Sequence, residues 1–148
     1  MTYSPLFFFA QSKGSSRQTS TNYQNASGFT INKSTPVSLN SSGQLVVIDV
    51  TSQASVQAMV GLAGIDIPNA ATGAVIDNGR LEDVTTSSAV RDILYVSKTG
   101  GLTNVKPEIG VGGFVSGDFV VLVGVVIANE FNGSLKDIKL MINVIGRL

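Results

Sequence analysis

Few side chains in this 148-residue sequence could carry out chemistry, because it contains no histidine, cysteine or tryptophan. Histidine is the commonest general base and a frequent zinc ligand, and cysteine is an intrinsically strong nucleophile. Carboxylates, hydroxyls, lysines and three tyrosines remain. The composition therefore predicts a protein that is not an enzyme and that binds no cofactor.

Acidic residues between positions 66 and 83 are the remaining candidates for a metal or acid/base site. Asp66, Asp77, Glu82 and Asp83 could surround a hard cation, but no calcium loop of the EF-hand type contains them. Glu82 and Asp83 are adjacent, so on a strand they would point to opposite faces and could not act as a catalytic pair. The glycine-rich stretch GVGGFVSG (110–117) lacks the spacing of a dinucleotide fingerprint and the ending of a P-loop. We predict no catalytic residues and no metal site.

Charge and hydropathy argue against two further classes of partner. Ten basic and ten acidic residues cancel, whereas binding to nucleic acid depends on neutralising phosphates. The longest apolar run, FVVLVGVVIA (119–128), is well short of the roughly 18 residues of a membrane span. Its β-branched residues instead favour a buried strand. We predict that the protein binds neither nucleic acid nor a membrane.

The elements that must position any site are short strands. From Phe29 onward, brief apolar runs alternate with turn sequences such as NSSG, DNG, KTGG and NGS. This pattern is typical of an all-β barrel or sandwich. Only residues 52–60 have apolar side chains at helical spacing and could form a helical turn or two. In KLMINVI (139–145), alternation places apolar residues on both faces, so one face could contact another subunit.

An internal repeat is the strongest organisational signal. NGRL (78–81) is echoed by IGRL (145–148), and Val60-Gly61 is echoed by Val123-Gly124. The repeat predicts two similar halves, at about 31–81 and 93–148. A glycine inside an apolar strand is typical of a bulge or a sharp bend. The glycines expected at turns or bends are Gly43, Gly61, Gly79, Gly101, Gly124 and Gly146.

The first 28 residues are predicted to form an extended N-terminal arm, with the β-domain at 29–148. Residues 11–28 include 12 Ser, Thr, Asn or Gln residues, and no acidic residue occurs before Asp49. Such a polar segment cannot by itself offset its ordering entropy. The segment is either a frayed terminus or an arm that orders on a neighbouring subunit; consecutive exposed phenylalanines, which would be unfavourable on a monomer, are the argument for the second interpretation. The residues predicted to make arm contacts are Leu6, Phe7, Phe8, Phe9, Lys13 and Arg17.

Several phrases resemble those of virion proteins from tailed bacteriophages. The hairpin ILYVSKTGGLTNVKP, the strand FVVLVGVV and the return NGS are similar to a common pattern of such proteins. The segment GFTINKSTPV resembles the opening of small β-barrel capsid decoration proteins of the β-tulip class, although Ser34 stands where glycine is more usual. The resemblance covers roughly residues 25–148.

This resemblance implies a capsid decoration, or cement, protein that stabilises the phage head by adhesion between subunits. It implies a homotrimer that contacts the major capsid protein or other virion proteins, made in the host cytoplasm and located on the virion. The alternative is a tail-fibre, collar or baseplate adaptor of the phage tail. A receptor- or carbohydrate-binding module is a weaker alternative, because tryptophan is absent and the three tyrosines are dispersed.

Overall fold

The chain is built almost entirely from β-strands in the computed structural model, which describes residues 18–148. The predicted all-β class is confirmed. Within these residues, ten strands form two five-stranded sheets in which all strand pairs are antiparallel. The elements are β1 (Thr19–Gln24), β2 (Pro36–Leu39), β3 (Leu45–Val47), α1 (Gln53–Gln57), β4 (Met59–Ala63), β5 (Thr72–Asn78), β6 (Arg80–Val84), β7 (Ile93–Val96), β8 (Leu102–Thr103), β9 (Phe119–Ala128) and β10 (Lys136–Arg147).

The two sheets have the same topology. The first has the strand order β1-β5-β4-β2-β3 and the second has the order β6-β10-β9-β7-β8. Adding five to each strand number of the first order gives the second. The predicted construction from two similar halves is therefore confirmed. The second sheet begins at Arg80, inside the range 31–81 that the sequence assigned to the first repeat.

The two Val-Gly pairs occupy equivalent places in these sheets. Gly61 lies in β4 where its register with β2 shifts, and Gly124 lies in β9 where its register with β7 shifts. A Cβ on Gly61 would lie well inside 3.0 Å of the Ile76 carbonyl oxygen in β5, and a Cβ on Gly124 equally close to the Lys139 carbonyl oxygen in β10. Each glycine therefore allows a close approach between neighbouring backbones that no other residue could accommodate.

The other glycines predicted at turns have different surroundings. Gly43 and Gly79 have φ of +76° and +89° and lie in the β2–β3 turn and between β5 and β6. In the β7–β8 turn the positive φ, +91°, belongs to Gly100 and not to the neighbouring Gly101. Gly146 lies within β10, so it is a strand residue and not a turn residue.

Two segments of the first half form for different reasons: β1 through pairing with another strand, and α1 through a local cap. Strand β1 lies in the polar segment that the sequence assigned to the arm, and it pairs with β5 along its whole length. Helix α1 forms within the stretch 52–60, where Ser52 Oγ caps it by accepting from the Ser55 N–H at 3.2 Å. The helix ends at Ala58 because Met59 begins β4. Among residues 18–148, no helix has the length and apolar character needed to cross a bilayer.

The core is shared unequally between the halves. A smaller cluster belongs to the first half alone. The larger cluster lies mainly on the second sheet but is completed by buried residues of the first half. The residues supplied by the first half are Ile48, Val50, Val56, Leu62 and Ile76.

Candidate functional site

Of the acidic residues identified in the sequence, Asp66 and Asp83 are joined through Lys33, which connects a segment of the first half to β6. Asp66 Oδ1 accepts from the Lys33 N–H at 2.8 Å, and Lys33 Nζ donates to the Asp83 carbonyl oxygen at 3.2 Å. These three residues line a cavity of about 290 Å³ between the two halves. Asp77 and Glu82 do not line it. Within residues 18–148, no three acidic side chains are arranged to hold a metal ion.

A polar cluster around the buried Asn129 and Asp137 ties β6 to β10 and to the loop before β10. Asn129 Nδ2 donates to Asp83 Oδ1 at 2.6 Å and to Asp137 Oδ1 at 2.8 Å. Arg80 Nη1 lies 3.2 Å from Glu130 Oε1 and 3.6 Å from Asp137 Oδ2. Asp137 also accepts from the Asp83 N–H. Sequence reasoning missed this cluster because its members come from separate elements, and its satisfied hydrogen bonds indicate a structural role.

An ion pair between the partly exposed Lys98 and the buried Asp118 anchors the long loop between β8 and β9. Lys98 Nζ donates to Asp118 Oδ2 at 2.5 Å, and the same oxygen accepts from the Val115 N–H at 2.9 Å. The hydrogen bond from Lys98, followed by that from Val115, holds the pKa of Asp118 below its ordinary value of 3.8. The pair fixes the end of this loop while Ile109 and Val115 remain exposed on it.

The second half of β10 is the most distinctive surface. Strand β6 pairs with β10 from Lys136 to Lys139 and no further. One more hydrogen bond joins the Leu140 N–H to the Gly79 carbonyl oxygen at 2.8 Å. From Met141 to Arg147, β10 pairs with β9 on one side and has no strand on the other among residues 18–148. We call residues Met141–Arg147 the uncovered half of β10.

Apolar side chains are exposed along this uncovered half. Met141, Val144 and Ile145 have 43%, 45% and 46% of their surface accessible. The register of β10 against β9 shifts twice here, between Leu140 and Asn143 and between Val144 and Gly146. These irregularities break the simple alternation of faces. The uncovered half therefore presents both a free backbone edge and apolar side chains.

The sequence pointed to this strand but not to its free edge. Apolar residues on both faces of KLMINVI indicated a possible subunit contact, and the exposed side chains lie in that stretch. The edge itself arises because β6 is short, which follows from tertiary pairing and not from β10's own residues. The predicted arm contacts fall in residues 1–17 and lie outside the described residues.

The two tyrosines among residues 18–148 do not form a stacking platform. Tyr95 is buried in β7, and Tyr23 is half-buried in β1, the edge strand of the other sheet. A sugar-binding face requires exposed aromatic rings placed together. The described tyrosines therefore give no support to a carbohydrate-binding module.

Comparisons with protein-family models, with curated proteins and with solved structures give no match to this chain.

Proposed function

We propose that the protein is a structural component of a tailed-bacteriophage virion, and that it decorates the head by adhesion between subunits. The uncovered half of β10 is the observation that carries this proposal. Soluble monomers seldom expose apolar side chains together with an unpaired sheet edge, because such surfaces promote association. A protein whose role is adhesion needs such a surface.

Repeated weak contacts are sufficient for this role. Burial of apolar surface contributes about 25 cal/mol per Å² before the costs of ordering and association are subtracted. Several copies bound side by side add avidity, since each contact raises the effective concentration of the next. A homotrimer on the major capsid protein would have this advantage. The sequence phrases shared with small β-barrel decoration proteins support the head over other parts of the virion.

Copy number distinguishes the head from the tail. Quantitative mass spectrometry of purified virions would compare this chain with the major capsid protein. We expect hundreds of copies per particle. A few copies, or a few dozen, would instead indicate a tail-fibre, collar or baseplate adaptor, and absence from the virion would contradict the proposal.

The arm is expected to contribute to attachment. Truncation should stop before Thr19, because β1 is a paired strand of the first sheet. We expect the 1–17 deletion to lower occupancy on capsids that lack the native protein, measured by binding to purified shells. The matched control is Ile109→Ser, which removes an exposed apolar side chain from a loop far along the chain. Undiminished binding of the truncated chain would reject a role for the arm.

A further inference from the structure

The geometry points to a specific occupant for the uncovered half of β10. We propose that it accepts residues Ser4–Ala10 of a second copy of this chain as an added β-strand. The inference rests on the proposed adhesive function and names the partner of that surface. Each copy would donate one segment and receive one, a head-to-tail contact that can close into a ring.

The backbone of β10 provides the template. Its last bond on the β6 side is made by Leu140, whereas its pairing with β9 continues to Arg147. Seven residues, from Met141 to Arg147, therefore keep one free edge among residues 18–148. An extended peptide can add to such an edge through main-chain hydrogen bonds, while its side chains determine specificity.

The side chains of the donor and the acceptor match in an unusual way. Exposed apolar residues at 141, 144 and 145 make the side chains at the acceptor edge largely apolar. A typical edge strand is polar on one face, so an amphipathic strand added here would bring polar groups against apolar ones. The segment SPLFFFA at 4–10 is apolar at five successive positions and carries no charge. It can therefore cover these exposed apolar side chains without burying an ion.

The proposed adhesive function selects a second copy over the same copy. The described chain begins at Gln18, which lines a cleft with Leu81 and Asp83 of β6. Leu81 pairs with Ile138 of β10, three residues before the uncovered half begins at Met141. Residues 11–17 span at most about 24 Å when extended. This length reaches the uncovered half of the same copy as well as that of a neighbour, so the cysteine variants below are chosen to distinguish the two.

Disulfide trapping tests the proposal directly, because the chain has no cysteine of its own. Full-length Phe8→Cys and Val144→Cys proteins would be mixed and mildly oxidised. We expect a disulfide-linked heterodimer at a yield at least about tenfold above that of Phe8→Cys with Ile109→Cys, because docking raises the effective concentration of the two thiols. Ile109 is the matched control, since it is also an exposed apolar residue. Equal yields would overturn the proposal.

A second measurement does not depend on cysteine chemistry. Deleting residues 1–10 should convert the oligomer to a monomer in light scattering, and a synthetic peptide of residues 3–11 should bind the truncated protein. Ile145→Lys in the truncated protein should lower its affinity for this peptide by at least about tenfold, because it places a charge at the edge. Ile109→Lys should leave the affinity unchanged. An oligomer that survives the deletion would overturn the proposal. A Phe8→Cys, Val144→Cys double variant that links within a monomer would overturn it too.

The outcomes separate this inference from the proposed function. A chain that cross-links as expected but is missing from virions contradicts the virion role alone. A chain that is abundant in virions but does not cross-link contradicts the strand exchange alone.

Discussion

At the residue scale, the buried side chain of Asn25 joins the loop after β1 to the segment before β5. Asn25 is 1% exposed, and its Nδ2 donates to the carbonyl oxygens of Phe29 and Ile67, both at 2.8 Å. Asn25→Asp keeps the shape but replaces two donor hydrogens with a carboxylate oxygen facing two carbonyls. We expect a loss of about 3 kcal/mol in unfolding free energy, measured by urea denaturation at neutral pH.

Asn40 provides the matched control for this substitution. Its Oδ1 accepts from the N–H groups of Ser42 and Gln44 at 2.9 and 3.0 Å, so an aspartate can make the same bonds. We expect Asn40→Asp to leave the unfolding free energy within about 0.5 kcal/mol of the parent. Equal effects at the two positions would show that the donor hydrogens of Asn25 contribute nothing.

The ion pair at the base of the β8–β9 loop predicts a pH dependence. Because the pKa of Asp118 is lowered in the folded protein, first by Lys98, its ionised form favours folding. The resulting stability is present above the unfolded-state pKa and is lost as the pH falls through the lower, folded-state pKa. Lys98→Met should therefore destabilise the protein near pH 7 and much less near about pH 2, as measured by thermal unfolding across this range.

Lys139→Met is the control for the loss of a positive charge. Lys139 is exposed on β10 and forms no ion pair among residues 18–148. Its stability should follow that of the parent at every pH. A Lys98→Met protein whose deficit stays constant down to the acid limit would contradict the assigned role of the pair.

At the element scale, two glycines of the β9–β10 strand pair differ in whether they have room for a side chain. Gly124 in β9 has no room for a Cβ because the Lys139 carbonyl of β10 approaches it, whereas a Cβ on Gly146 would meet nothing within 4 Å. We expect Gly124→Ala to lower the unfolding free energy by about 3 kcal/mol or more. Gly146→Ala should be neutral or slightly stabilising, because it restricts the unfolded chain. Chemical denaturation of the two variants side by side tests this, and equal stabilities would contradict it.

The repeated phrases predicted some elements better than others, for physical reasons. Val-Gly was informative because a glycine inside a buried apolar run needs a packing reason, and both copies meet a neighbouring backbone. Gly-Arg-Leu was less informative. Its first copy crosses from β5 into β6 at Gly79, whose φ is +89°, and its second ends β10. The same letters therefore serve a corner and a strand.

Strand β1 and the free edge of β10 could not be predicted from their own residues. The residues of β1, TSTNYQ, are polar and mostly exposed, so neither hydropathy nor periodicity marks the strand. Its backbone bonds to β5 stabilise it. The free edge of β10 likewise depends on where β6 ends. Tertiary pairing determined both features, whereas the apolar character of β10 was visible in the sequence.

At the scale of the whole molecule, the two halves have the same strand topology but depend on each other to different extents for their cores. Each half has five strands in the same order, but the larger core cluster takes five buried residues from the first half. The smaller cluster lies within the first half. The halves therefore resemble each other in backbone arrangement and differ in how their cores are completed.

This asymmetry predicts how the chain behaves when it is divided after Gly79, where β5 turns into β6. The fragment 80–148 lacks Ile48, Val50, Val56, Leu62 and Ile76 from its core, so we expect no cooperative thermal unfolding from it alone. Adding the fragment 1–79 should restore a cooperative transition and dispersed amide NMR signals, because the missing side chains return. The matched control is the fragment 1–79 carrying Leu62→Asp, which should fail to rescue because it brings a charge into the shared core. Cooperative unfolding of the isolated fragment 80–148 would show that the second half completes its own core.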